Sequence, residues 1–385
     1  MINGLRFHFL TVFSEKHCMK YYIISGEASG DLHGSNFIKE LFVRDNNATV
    51  HCWGGDLMEK AGATLVKHYK DLAFMGFAEV IKNLPVILRN IRFCKQDILA
   101  FKPDVLVLID YPGFNLRIAK WANRKGIRVA YYISPQVWAW KENRVKKMRH
   151  YIDKMLVILP FEKEYFAKKW NWEVEYVGHP LVEVIEAEEK KRTATTEENI
   201  IALLPGSRQQ EIAKKLPVML DVCKSFPEYK FVVAKAPGLD DAFYEPFLAA
   251  YNNVSSVRNQ THSLLLQSKA ALVTSGTATL ETALFNVPEV VCYKGGNISY
   301  QIAKRLVKVK YISLVNLIMD KPVVKELIQH DMTTHNIVQE LKELLYNEER
   351  KNQLKEDYAA LRKILSAGGR ASAKAAKSVF QLAVK

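Results

Sequence analysis

The feature that most limits what this chain can fold into is a short junction. The apolar run Ala270-Ala271-Leu272-Val273 stops abruptly at Thr274-Ser275-Gly276-Thr277-Ala278-Thr279-Leu280-Glu281. Unbroken apolar residues read as a strand buried on both faces, and the spacing of Leu280, Ala283 and Leu284 reads as a helix. A strand, a tight turn and a helix start in so few residues bring backbone N–H groups to the positive end of a helix, a natural seat for phosphate. Gly276 lets a ligand approach the backbone, and Ser275, Thr277 and Thr279 can cap the helix or donate to phosphate oxygens. Glu281 follows one turn later on the face of Thr277, where a carboxylate can accept both hydroxyls of a ribose. The same residues also suit an ordinary capped helix of an α/β domain.

The junction recurs along the chain. Residues 21–25 form a strand that runs into Gly26-Glu27-Ala28-Ser29-Gly30-Asp31 and a helix through Phe37 and Leu41. This turn lacks the dinucleotide pattern GxGxxG, and the acidic Glu27 suits sugar hydroxyls better than phosphate. Residues 105–109 are wholly apolar and end in Asp110, a general-base candidate at the carboxyl end of a parallel strand or, equally, a helix cap. Residues 200–204 lead into Pro205-Gly206-Ser207-Arg208, where a guanidinium can grip pyrophosphate in bidentate fashion. Further strands are expected at 129–133, 155–159, 174–177, 230–234 and 289–293, each followed by a turn and most by a helical pattern.

Strands that alternate with helices build parallel sheets. At 385 residues the chain has room for two domains, and the polar stretch 183–199 reads as their linker. The expected fold class is therefore α/β, with two Rossmann-like doubly wound domains facing across a cleft. Residues 1–18 read as a disordered leader, with Met19 as the natural start; 19–184 and 185–350 read as the two domains. Residues 351–385 read as C-terminal helices that pack back on the first domain or exchange with a partner chain, with Gly368-Gly369 as a hinge.

The net charge of +14 favours acidic partners such as nucleic acid, anionic lipid or a phosphorylated substrate, without choosing among them. Aromatic RNA-binding sheet motifs are absent. The five cysteines are dispersed and form no CxxC pair, which argues for a reducing cytoplasm and against a disulfide framework or zinc site. No acidic pair or His/Asp cluster has metal-ligand spacing, and no cofactor is expected. No apolar stretch approaches the length of a membrane span. Residues 75–91 are dense in large apolar side chains with Lys82, Arg89, Arg92 and Lys95 interleaved or following; they read as a membrane-surface or acyl-binding segment, or as core helices broken at Pro85. Residues 141–150 read as a basic helix, and His179 before Pro180 as a hinge or packing residue.

Taken in order, Ser25-Gly26-Glu27-Ala28-Ser29-Gly30-Asp31, Met75-Gly76-Phe77-Ala78-Glu79-Val80, Ile109-Asp110-Tyr111-Pro112-Gly113-Phe114-Asn115, Ser134-Pro135-Gln136-Val137-Trp138-Ala139-Trp140, Leu204-Pro205-Gly206-Ser207-Arg208, the 274–281 junction and Leu314-Val315-Asn316-Leu317 resemble the lipid-A-disaccharide synthase family from Met19 to the C-terminus. Gly113 stands where members often have a second Asp, which removes a back-up to Asp110.

The resemblance implies a B-type glycosyltransferase, inverting and independent of metal. It would transfer 2,3-diacylglucosamine from its UDP derivative to 2,3-diacylglucosamine 1-phosphate, at the inner face of the inner membrane. It further implies a catalytic role for Asp110 with Glu27 orienting a sugar hydroxyl. Gly206, Ser207, Arg208, Ser275, Gly276, Thr277, Glu281 and Asn316 fall on the UDP-sugar side, and Ser29, Met75 and Gly76 on the acceptor side. Residues 75–91 would take acyl chains and meet the membrane, and a homodimer could form by C-terminal exchange. A UDP-N-acetylglucosamine 2-epimerase, a transferase with another lipid acceptor, and a non-catalytic binder of acidic lipid or nucleic acid are the rival readings. An epimerase has no need of the 75–91 stretch, and only the nucleotide-sugar readings predict stabilisation by UDP.

Overall fold

The computed structural model describes residues 18–72, 84–191, 199–296, 300 and 309–385. Among these, residues up to 131, with 151–154 and 376–385, form one compact unit; residues 132–150 and 155–375 form another.

The first sheet begins with β1 (Lys20–Ser25), β2 (Thr49–Gly54), β3 (Thr64–His68) and β4 (Val105–Ile109). It continues with β5 (Arg128–Tyr132), β6 (Lys154–Val157) and β7 (Glu175–Tyr176), in the spatial order β3-β2-β1-β4-β5-β6-β7. β1 pairs in parallel with both β2 and β4, and every residue of β4 is fully buried, as its unbroken apolar run requires. The spatial order reverses between β1 and β4. That is a topological switch point, where the chain leaves the sheet in opposite directions and opens a crevice above the strand ends. Helix α1 (Ala28–Arg44) leaves β1 on one side of this point and, after α2 (Asp56–Lys60) and α3 (Leu84–Phe101), α4 (Pro112–Asn123) leaves β4 on the other.

The second sheet comprises β8 (Ile200–Leu204), β9 (Lys230–Lys235), β10 (Val254–Arg258), β11 (Ser268–Val273), β12 (Glu289–Tyr293) and β13 (Lys325–Ile328), in the order β10-β9-β8-β11-β12-β13. All its pairings are parallel, and its switch point lies between β8 and β11. Further helices, in chain order, are α5 (Val145–Met148), α6 (Pro160–Trp170), α7 (Pro180–Lys190), α8 (Gln209–Asp221), α9 (Asp241–Leu248), α10 (Thr261–Gln267), α11 (Thr277–Leu284) and α12 (Leu314–Met319). The chain ends in α13 (Thr334–Tyr346), α14 (Glu348–Ser366) and α15 (Ala371–Ala383). Buried apolar residues of β8, β9, β11 and β12 with those of α8, α11, α13 and α14 make one continuous core.

Several local readings change in detail. The basic helix expected over 141–150 is a short 3-10 turn, Glu142–Arg144, followed by the single turn α5. Pro85 sits in the first turn of α3, where a missing N–H costs nothing; residues 73–83, which the expected helix pair needs, lie outside the described residues. His179 is the N-cap of α7, its Nδ1 accepting from the N–H of Leu181 at 3.2 Å. Gly368-Gly369 separates α14 from α15, and Gly369 is left-handed at φ 73°. The carbonyls of Leu382 and Ala383 accept from Arg128 at 3.2 and 2.9 Å. Among the described residues no helix is long and apolar enough to cross a membrane.

Candidate functional site

At the switch point of the first sheet, Ser25 stands in register with Ile109, so the turns after β1 and β4 lie side by side. Asp110 and Tyr111 are both left-handed, at φ 43° and 49°, an arrangement that costs free energy in non-glycine residues. Surrounding groups hold it in place. The Asp110 carbonyl accepts from Tyr131 Oη at 2.6 Å and from Asn115 Nδ2 at 2.8 Å. The ring of Tyr111 lies over Gly26, where a Cβ would come within 2.4 Å of it.

The Asp110 carboxyl is pushed up to about 7, first by burial and then by the negative charge of Glu27. The Glu27 that shifts it occupies the N-cap of α1. A carboxyl with this value at a strand end is matched to proton transfer near neutral pH. Ser29 is exposed on the first turn of α1. Asp31, from the same motif, is structural. Its carboxylate accepts the N–H groups of Gly55, Leu57 and Met58 at 2.8 to 3.2 Å and caps α2. Met75 and Gly76 lie outside the described residues.

The second switch point carries a cavity of about 360 Å³. Gly206, Ser207, Arg208, Ser275, Gly276, Thr277 and Glu281 all line it, so the turns after β8 and β11 converge as their sequences suggested. The convergence follows from register: Leu204 pairs with Val273, and the Thr274 N–H donates to the Leu204 carbonyl at 2.9 Å. Two helices, α8 and α11, start at this cavity without a side-chain cap, which leaves their first N–H groups for a ligand. Gly206 and Gly276 are both left-handed, at φ 118° and 141°, and open space faces Gly276.

Arg208 is half-exposed and contacts Glu211 at 3.2 Å. Glu281 lines the same cavity, and burial raises its carboxyl to about 7. Ser275 turns its hydroxyl away, donating to the Ile312 carbonyl at 2.8 Å, so its contribution to the cavity is its backbone. Asn316 stands apart from these residues. It is buried on α12 and exchanges hydrogen bonds with both backbone groups of Val324 and with Glu326, each at 2.9 Å.

Two buried groups escaped the sequence reading. Lys215 is only 2% exposed; its ammonium donates to Thr274 Oγ1 and lies 3.6 Å from Glu211, directly under the Gly206 turn. Burial lowers its pKa, while Glu211 opposes that. The spacing held the signal: Ile212, Leu216 and Met219 are the core face of α8, and Lys215 interrupts it. Glu162 is fully buried at the start of α6 and accepts from Ile158 N, Leu159 N and Trp138 Nε1 at 2.9 to 3.2 Å, anchoring the loop that carries Trp138 and Trp140.

A model of the lipid-A-disaccharide synthetase family matches residues 21–383. The lipid-A-disaccharide synthase of Geobacter metallireducens is 37% identical over 90% of this chain and 93% of its own length. That of Trichlorobacter lovleyi is 36% identical over the same shares. The chain belongs to the lipid-A-disaccharide synthase family.

Among solved structures, the UDP-GlcNAc 2-epimerase of Neisseria meningitidis aligns with a TM-score of 0.66 and 14% identity, over 95% of this chain and all of the other. The glycosyltransferase of kitacinnamycin aligns at 0.66 and 15%, over 95% and 99%. At such identities the likeness shows the fold alone, the B-type glycosyltransferase pair of parallel α/β domains. The chain is accordingly an inverting glycosyltransferase that moves 2,3-diacylglucosamine from UDP to 2,3-diacylglucosamine 1-phosphate, forming the β-1,6 disaccharide phosphate of lipid A and releasing UDP. The epimerase reading shares the fold but not the family.

Proposed function

We propose the following division of labour for that reaction. The second unit holds the donor's UDP in the switch-point cavity, and this reading is carried by one observation: two uncapped helix starts, Arg208 and Glu281 line the same space. The N–H groups around Gly276 and Thr277, with those after Gly206 and Ser207, bind the pyrophosphate. Arg208 leaves Glu211 to join them. Glu281 accepts the ribose hydroxyls. As the bond from C1 to the pyrophosphate breaks, charge develops on the leaving oxygen, and these preorganised donors stabilise it as a metal ion does in other transferases. Among the described residues no group of three or more His, Cys, Asp or Glu side chains is placed to hold a metal. Asn316 acts through Glu326, which it fixes, rather than by touching the donor.

In the first unit Asp110 accepts the proton of the acceptor's 6-hydroxyl as the oxygen attacks C1, and Glu27 and Ser29 orient the acceptor sugar. The raised carboxyl of Asp110 supports this, since a stronger acid would be a weaker base at cytoplasmic pH. The outer surface of α3 supports a peripheral membrane contact. Leu88, Phe93 and Leu99 are exposed there beside Arg89, Arg92 and Lys95, the mix that seats a helix at an anionic interface. Residues 75–83 precede this helix and extend the same apolar composition. The Gly368-Gly369 break supports exchange of α15 between two copies.

The deciding experiment incubates purified protein with the diacyl UDP-sugar and the acceptor monophosphate, and seeks the disaccharide by mass spectrometry. UDP alone should raise the melting temperature. No product and no UDP stabilisation would refute the assignment of the cavity.

A further inference from the structure

The second unit has another cavity, of about 580 Å³, within the size range of small-ligand pockets. It meets the nucleotide cavity only at Ser275 and Gly276, so this turn forms a ridge between the two. Its walls are of a different character. Trp138 and Tyr311 are joined by Ile312, Leu314, Leu317 and Ile328. Tyr311, Ile312, Leu317 and Ile328 are only partly buried, so apolar surface stays wet until something covers it.

Three polar side chains of these walls, Glu326, Ser275 and Trp138, are already engaged; Gln136, Tyr293, Tyr300 and Lys310 also line the space. The Glu326 carboxylate accepts from the N–H groups of Ile312 and Ser313 at 3.0 and 2.9 Å and from the Asn316 amide at 2.9 Å. The Ser275 hydroxyl and the Trp138 indole N–H donate to Ile312 and Glu162. Against the apolar part of these walls a hydrocarbon chain gains by leaving water.

We propose that this cavity receives the acyl chain on C2 of the UDP-linked donor. The proposal rests on the reading that the neighbouring cavity holds UDP. C2 adjoins the carbon that bears the pyrophosphate, so a chain on C2 leaves the sugar beside the Ser275-Gly276 ridge and needs only to cross it. The chain on C3 starts one carbon further away, and the acceptor has no bond to the pyrophosphate at all. The cavity therefore reads the length of one chain, on one substrate.

The test compares donors with C2 chains from acetyl upward against acceptors varied in the same way. In the unaltered enzyme kcat/KM should rise by about fourfold per methylene of the donor C2 chain until the cavity is full. Two variants probe the site: Leu317→Asn, which makes a wall polar, and Ala139→Phe, which fills space from a half-buried loop position. In each, the ratio of long-chain to acetyl kcat/KM for the donor should fall at least tenfold, while the dependence on acceptor chain length stays as it was. UDP stabilisation separates the two ways to fail. Retained UDP binding with an unchanged donor ratio in both variants overturns this inference alone. Absence of UDP binding in the unaltered enzyme overturns the nucleotide reading, and this one with it.

Discussion

Replacing Asp110 by Asn should make the protein more stable and nearly inactive, and the two effects share one cause. Burial and the charge of Glu27 raise this carboxyl from 3.8 to about 7. Between those values the unfolded chain has released the proton and the native state has kept it, so stability falls as pH rises across the interval. Below about 4 both states are protonated and nothing is lost; above about 7 the full cost is present. Roughly three pH units at about 1.4 kcal/mol each set a ceiling near 4 kcal/mol, and relaxation around a partly exposed carboxyl brings the expected value to about 2.

An amide carries no charge and keeps the shape. The Asp110→Asn variant should therefore gain about 2 kcal/mol over the parent in urea unfolding at pH 8 and nothing near pH 4, as the backbone carbonyl bonds from Tyr131 and Asn115 are unaffected. Turnover should drop by about 10² to 10⁴, the usual worth of a general base. In the parent, kcat/KM should climb about tenfold per pH unit below about 7 and level off above it. Glu27→Gln removes the like charge and should move that limb to lower pH. Near-normal turnover in Asp110→Asn, with unfolding curves that match the parent at pH 8, would show that the carboxylate is neither desolvated nor the base.

Arg208→Ala should raise KM for the UDP-sugar by about tenfold or more and leave acceptor KM alone, the signature of a lost charge-assisted bond; unchanged donor kinetics would contradict the pyrophosphate role. Lys215→Met should weaken UDP binding by a similar factor yet leave unfolding free energy within about 1 kcal/mol or raise it, because a buried ion pair gives little net stability; a strong loss of stability with intact UDP binding would make Lys215 purely structural. Leu88→Ser with Phe93→Ser should reduce sedimentation with anionic vesicles more than turnover of a short-chain substrate, and unchanged sedimentation would refute the membrane role of α3. Chelators should leave activity intact; a loss that added divalent metal restores would refute the metal-free account.

Much of this was legible locally. Each buried strand of a parallel sheet must be apolar on both faces, so 105–109, 200–204 and 270–273 announce themselves, and a ligand-binding turn must break that run with small or charged residues. Asp110, Arg208 and Gly276 could be named because each stands at such a break, and Glu281 because it follows one turn into the next helix. Asp31 and His179 lie in equally suggestive turns but cap helices; capping and ligand binding use the same side-chain chemistry, and only neighbours tell them apart.

Adjacency is what the chain pattern leaves open. The strand order of each sheet, with its reversal between β1 and β4 or β8 and β11, is chosen by how crossovers pack. It is this order that brings Glu27 to Asp110 and raises its carboxyl, and Thr274 to Lys215. The apolar cavity is assembled from residues near 138, 275, 293, 311 and 328, none of which forms a motif with the others. Local sequence sets which residues can do chemistry, because conformation and burial along a strand or helix depend on near neighbours. Which of them share a solvent-excluded space depends on contacts between distant segments, and those arise only when the sheets close on their helices.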